Sequence, residues 1–410
     1  MKPRITLGHT MVAIESEDTV DVLLELEVPA TDTPRPPLSI ALVLDRSGSM
    51  AGAPLATVAR AAQFLAGQLS PDDRVAVVSY DDVVSLDVPL GAPGPHVDEA
   101  LAGIHPGGMT NLSGGWLKAR EQLAGVEGPS RILLLTDGLA NHGITDPDRL
   151  ATMVGTAAGE RIGTSCFGVG DGFNEELMAA MADAAGGEYH FLETADAAAA
   201  AFATELGDLL SLAAQNVSVE IRPQDGVQWL GVLNDYPSTA VEGGVQLQLG
   251  DAYSGQTRTC VVRLGTPQLA ALGPVTIAEV VVRYVDVAGT MTAHELTIPV
   301  VVNVVDAADA AAQLPDARVV EELTVLEIAK HVEEARYRAD IGDLPASQAA
   351  FQRSIDLSDG LALEALDGSE YQAQADRLRT LRDQTATDAW DATARKRAHD
   401  EERRNKRRRR

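Results

Sequence analysis

Four predominantly apolar stretches punctuate the first half of the chain: "LSIALVL" (38–44), "RVAVVSY" (74–80), "RILLLT" (131–136) and "GTSCFGVG" (163–170). Runs of this kind lack the in-out alternation of a strand with one wet face, so they predict parallel strands buried on both sides. Between them, "PLATVARAAQFLAGQL" and "TDPDRLATMVGTAAGE" read as helices, with Pro54 and Pro147 suited to a first helical turn. This succession predicts a doubly wound, mostly parallel α/β domain over residues 38–212.

The flanks follow another rhythm. "TVDVLLELEV" (19–28), "NVSVEIRP", "GVQLQLGD", "RTCVVRLG", "AEVVVRYVD" and "HELTIPVVVNVV" alternate or run β-branched between Gly, Pro, Asp and Asn. They predict an antiparallel β-sandwich formed by residues 1–37 and 213–306, with the α/β domain inserted or flanked and its ends close together. Residues 315–390 turn helical: "DARVVEELTVLEIAKHVEEARYRADIG" repeats apolar positions three and four apart. "LPASQAAFQRSIDLSDG" and "EYQAQADRLRTLRDQ" add two more helices, the former stopped by Gly360.

Charge divides the molecule. The chain of 410 residues carries a formal net charge of −27, yet residues 395–410, "RKRAHDEERRNKRRRR", hold ten basic and three acidic side chains. The acidic body repels phosphate, which argues against nucleic acid as its main partner. The tail, residues 391–410, is expected to be disordered, to touch RNA or a membrane surface weakly, or to fold back on the acidic body. Two cysteines make no disulfide framework. The start lacks the apolar run of a signal peptide, and no stretch reaches the roughly 18 apolar residues of a membrane span. The expected compartment is the cytoplasm, and the many alanines with only 4% aromatics point to a high-GC bacterial source.

The chemistry sits where strands end. "LVLDRSGSMAG" (42–52) runs into Asp45, Ser47 and Ser49; "HPGGMTNL" supplies Thr110; "LLLTDGLAN" supplies Asp137. Alone, the first set reads equally as a turn with a helix cap. In a doubly wound sheet, however, loops leaving the carboxyl ends of strands converge on one crevice, which lets distant residues meet. Two carboxylates with hydroxyls and no His or Cys form a hard-oxygen set suited to Mg²⁺, with Mn²⁺ or Ca²⁺ next, and disfavour zinc. Asp81 and Asp82 in "SYDDVVSL" could extend such a metal site, although a turn between strands explains them better.

"DRSGSM", "GGMTNL" and "LLLTDG" resemble, in order, the three pieces of the metal-ion-dependent adhesion site of von Willebrand factor type A domains. The resemblance implies that Ser47, Ser49 and Thr110 bind a metal directly or nearly so, that Asp45 and Asp137 act largely through water and hydrogen bonds, and that no ligand of the pattern is missing. The layout is similar to bacterial proteins related to inter-alpha-trypsin inhibitor heavy chains and chloride-channel accessory proteins. The implied function is a non-enzymatic interaction module or adaptor whose cation receives an Asp or Glu of a partner protein; the resemblance permits a setting beside an ATPase, kinase or phosphatase. Two rivals are a scaffold with a merely stabilising metal and a Mg²⁺-dependent phosphotransferase using Asp45 as nucleophile. The second is weakened by Ser47, which stands where such enzymes place a second carboxylate.

Overall fold

The computed structural model describes residues 1–30, 36–287, 291–365, 368–387 and 389–407. The chain opens with β1 (Lys2–Leu7), β2 (Met11–Ala13) and β3 (Asp18–Glu27). It then enters an α/β unit of β4 (Ser39–Asp45), α1 (Ala53–Gln68), β5 (Arg74–Tyr80), β6 (Val84–Gly91), α2 (Pro95–Ala102), α3 (Leu112–Leu123), β7 (Ser130–Thr136), α4 (Pro147–Ala158), β8 (Ile162–Val169), α5 (Glu175–Ala184), β9 (Tyr189–Leu192) and α6 (Ala195–Leu210). The sheet runs β6-β5-β4-β7-β8-β9 and is parallel except for β6, which turns back on β5 at the edge. Every residue of β4 and β7 is buried. Helices cover both faces: Ile40, Leu42 and Leu44 pack with Val58, Leu65 and Phe202, while Ala41 and Val43 pack with Leu112, Trp116 and Leu123. The chain leaves β4 for β5 on one side and returns to β7 on the other, so the carboxyl ends of β4 and β7 flank a topological switch point.

Strands β10 (Leu212–Pro223), β11 (Gln228–Val232), β12 (Ser238–Val241), β13 (Gly244–Tyr253), β14 (Thr257–Thr266), β15 (Gly273–Asp286) and β16 (Thr292–Val305) follow. One sheet has the order β1-β3-β14-β11 and the other β12-β13-β10-β15-β16-β2. Val20, Val22, Leu24 and Leu26 of β3 share a core with Val219, Leu247, Val280 and Val282 of the second sheet.

A buried ionic seam joins the α/β unit to the sandwich. Arg131 at the start of β7 donates to Asp251 Oδ2 (2.7 Å) and to the Tyr253 hydroxyl (3.4 Å) on β13. Nearby, Glu205 of α6 accepts from Ser165 Oγ (2.5 Å) and lies 3.0 Å from His190 Nε2. Burial, and then the Glu205 charge, push the neighbouring Asp208 carboxyl up to about 6. Its raised folded-state value means the unfolded chain releases this proton first, so its cost to stability grows as pH rises from about 4 to about 6 and stays constant above. Asp208→Asn is therefore expected to melt higher than the parent at pH 8 and to lose that advantage near pH 4, as thermal scans at both values will read.

The remaining helices are α7 (Ala307–Ala312), α8 (Ala317–Asp340), α9 (Leu344–Glu364), α10 (Ser369–Ala386) and α11 (Ala392–Lys406). Val325, Ile328 and Val332 of α8 pack with Phe351 and Ile355 of α9 and Leu378 of α10, while Val319 and Leu326 of α8 reach Leu23 and Val261 of the sandwich. Gly360 does not stop its helix: α9 continues to Glu364, with buried Leu361 holding its last turn in the core. No helix among the described residues is long and apolar enough to cross a membrane.

The basic C-terminal segment corrects the expectation of disorder and follows its alternative, folding back on the acidic body. Through Lys406 it is not disordered but forms α11, capped by Asp391, with Ala394 and Ala398 buried. Its charges meet acids of the α/β unit: Arg403 forks onto Asp183 (2.7 and 2.8 Å), Lys396 reaches Glu175 (2.9 Å), and Arg397 donates to Glu193. A run that looks solvated in sequence is thus ordered by compensating charge brought to it by the fold, and these side chains are engaged within the protein. Residues 408–410 lie outside the described residues.

Candidate functional site

Asp45 ends β4, and the backbone turns at once into a short helical turn, Gly48–Met50, anchored by buried Met50. The fully buried Asp45 carboxylate accepts from the Ser47 amide (2.8 Å) through Oδ1 and from the Thr136 hydroxyl (2.5 Å) through Oδ2. That places the end of β4 against the end of β7. Ser47 Oγ and Ser49 Oγ lie 3.2 Å apart, and Ser49 Oγ donates to Asp137 Oδ1 at 2.7 Å.

Thr110 arrives from the loop before α3. Gly107 N donates to the Arg46 carbonyl (2.7 Å) and Gly48 N to the Gly108 carbonyl (3.0 Å), stitching this loop to the first. Asn141 fixes it to the third: its side-chain oxygen accepts from Thr110 N at 2.8 Å, and the Asn141 and His142 amides return to the Thr110 carbonyl at 3.2 Å. A Cβ built on Gly138 would lie 3.5 Å from Ser49 Oγ and 3.6 Å from Thr110 Oγ1, which locates both hydroxyls beside the Asp137 loop. The structure therefore brings Asp45, Ser47, Ser49, Thr110 and Asp137 to one place.

Other residues support the loops. Asp81, for which the sequence offered both a turn and an extension of the site, lies in the β5–β6 turn and also braces the site loops. Its Oδ2 accepts from Gly108 N (3.1 Å), and its Oδ1 from Arg46 Nη2 (3.0 Å) and Val83 N (2.7 Å). The carboxylates approach so closely that a Cβ on Gly107 would be 1.7 Å from Asp81 Oδ2 and one on Gly108 1.8 Å from Asp82 Oδ1, so a side chain at Gly107 would push the Asp81 brace aside, whereas exposed Asp82 can turn away from Gly108. Thr136 and Asn141 escaped the sequence reading, although both lie within the quoted "LLLTDGLAN". A further brace comes from α11: Lys396 Nζ, buried, donates to the Phe173 carbonyl and to Glu175 Oε2, each at 2.9 Å. That loop presses on the site, since a Cβ on Gly172 would be 2.6 Å from the Asp137 carbonyl. Burial favours the neutral form of Glu175, but the Lys396 hydrogen bond and charge hold its carboxyl below the usual range. Lys396→Met is expected to destabilise the chain by about 2 kcal/mol in urea unfolding, less than the roughly 3–5 kcal/mol of a wholly orphaned charge, because Arg395 remains 3.0 Å from Glu175.

Electrostatically the site is short of positive charge. Burial raises the carboxyls of both Asp45 and Asp137, and the hydrogen bonds from Thr136 and Ser47 to the first and from Ser49 to the second oppose that rise without cancelling it. Arg46, adjacent in sequence, is taken by Asp81. Two buried carboxylates without a basic partner, ringed by hydroxyls, fit a small hard cation: the charge would offset their burial and the hydroxyls would supply neutral ligands. Among the described residues no cluster of three or more His, Cys, Asp or Glu is arranged to hold a metal.

Residues 39–206 match the family described as the von Willebrand factor type A domain. An uncharacterised protein of Synechocystis is 30% identical over 271 residues, covering 63% of this chain and 64% of its own length. Inter-alpha-trypsin inhibitor heavy chain H4 of Sus scrofa is 30% identical over 145 residues, covering 33% of this chain and 16% of its own. The chain thus spans less than two thirds of either relative. The solved structure titled von Willebrand factor type A from Catenulispora acidiphila superposes with a TM-score of 0.73 at 18% identity, covering 92% of this chain and 89% of that one. The α/β unit running from β4 to α6 has the von Willebrand factor type A fold.

Proposed function

We propose that this chain is a metal-dependent protein-interaction module in which a Mg²⁺ held by the three loops receives an Asp or Glu carboxylate from a partner protein. The observation that carries this reading is the convergence of two buried, cation-free carboxylates with the hydroxyls of Ser47, Ser49 and Thr110. Ser47, Ser49 and Thr110 would hold the ion through their hydroxyls, and Asp45 and Asp137 would anchor its water and the loop geometry. The cation supplies Lewis acidity toward a carboxylate; because three of its protein donors are neutral, it keeps the positive field that attracts one. Asp81, Thr136 and Asn141 keep the loops in register, so that the donors are arranged before a partner arrives. The membership of the domain in a family of interaction modules supports the same reading.

A pull-down from the native cell with the immobilised full chain tests it. Proteins retained in Mg²⁺, released by EDTA and not retained by Asp45→Ala support the module. Capture that is indifferent to EDTA and to the substitution contradicts it and favours a scaffold whose sandwich and helices do the binding.

A further inference from the structure

We infer that the partner presents its carboxylate next to an apolar side chain, because the loops that hold the site also carry an exposed apolar collar. This rests on the metal reading above. Val83, Met109 and Leu139 are 59%, 50% and 56% exposed, although each is a side chain that water disfavours. Their positions are not scattered. Met109 immediately precedes Thr110; Leu139 follows Gly138, whose Cβ position faces Ser49 Oγ and Thr110 Oγ1; Val83 N is held by Asp81, the brace of the Gly108 loop. Hydrogen bonds tie these loops to one another, so the three apolar side chains are carried by loops that surround one centre. The fold does not need them for its core: among the described residues no hydrophobic cluster includes any of them.

Exposed single apolar residues are ordinary on a protein surface, but contiguous ones rimming a polar centre mark a contact surface. A carboxylate bound to the cation brings its neighbouring side chains down onto this rim, and the flexible thioether of Met109 suits an adaptable contact. Charge narrows the occupant further. Exposed Asp82 precedes Val83, Asp171 lies beside Gly172 on the segment that presses against Asp137, Glu176 opens α5, and the whole chain is strongly acidic. A second acid on the incoming segment meets repulsion that only a metal-bound carboxylate escapes. The fitting occupant is therefore a segment of a partner protein with one Asp or Glu flanked by apolar and neutral or basic residues, rather than an acid-rich stretch.

A displayed library of seven-residue segments selected on the full chain in Mg²⁺ and eluted with EDTA reads this directly. The expected result is enrichment of segments with one acidic residue and an apolar residue beside it, each buried apolar side chain adding about tenfold in affinity. On Met109→Ser/Leu139→Ser that apolar preference should vanish, while calorimetry shows Mg²⁺ bound as by the parent. Selection on the parent alone keeps the inference falsifiable if the variant folds poorly. Acidic segments enriched without apolar neighbours, or with several acids, overturn the collar and leave the metal reading standing. No Mg²⁺ heat and no acidic preference on the parent overturn both.

Discussion

Asp45→Asn is expected to lower Mg²⁺ affinity by about 10- to 100-fold while leaving the metal-free fold intact. The amide keeps the carboxylate's shape and still accepts from Ser47 N, and the Thr136 hydroxyl can rotate to accept from its NH₂ group. What disappears is a buried negative charge that no basic side chain offsets. Without metal, the variant should be at least as stable as the parent, because burial disfavours the charged form. With free Mg²⁺ at about 100 times the parent's Kd, the parent gains about 2.7 kcal/mol of stability and the variant gains much less. Calorimetry reads the affinity, and thermal melts with and without Mg²⁺ read the crossover. A variant less stable than the parent without metal and equal to it with metal is the reverse of this expectation.

Arg131→Met should destabilise the protein by about 3–5 kcal/mol. Arg131 is 1% exposed, and its removal takes from Asp251, buried on β13, the guanidinium at 2.7 Å, leaving only the Asn216 amide and the Arg258 charge to offset its burial. The methionine fills most of the aliphatic volume, so the loss reports the orphaned charge and not a cavity. Adding Asp251→Asn should recover a large part of it, since the amide still accepts from the Asn216 amide and carries no charge. Urea unfolding of the two single variants and the double variant completes the cycle; independent, additive losses are incompatible with a coupled pair. Because the pair spans β7 and β13, the same experiment reports how firmly the α/β unit is set against the sandwich.

The parts of this fold visible in sequence are those where local pattern and tertiary environment agree. β4, β7 and β8 stand out as apolar runs because helices cover both faces of the sheet, and β3, β10, β14 and β15 because the sandwich imposes alternation or β-branched runs. The oxygen-bearing residues at 45, 47, 49, 110 and 137 stand out because they interrupt apolar runs or follow glycines. Their supports are harder to see. Asp81 serves loops 35 and 27 residues away, and local rules see only a turn. The antiparallel β6 and the short β1, β2, β11 and β12 are edge strands or short partners with little burial to shape their composition. Gly360 is a poor helix former locally, yet α9 runs through it because packing on either side outweighs about 1 kcal/mol of propensity. The α11 segment is the largest divergence. Its charge run reads as solvated until Glu175, Asp183 and Glu193, some 200 residues earlier, are placed opposite it.

The central claim is that one divalent cation sits among the three loops. Anomalous diffraction at the manganese edge, from crystals of the full chain grown with Mn²⁺, tests it most directly. The expected map has a single strong peak about 2 Å from Ser47 Oγ and Ser49 Oγ, with Thr110 Oγ1 either in the same shell or one water away, and Asp45 and Asp137 behind it. A map with no peak at these hydroxyls, or with its manganese bound elsewhere on the acidic surface, would contradict it.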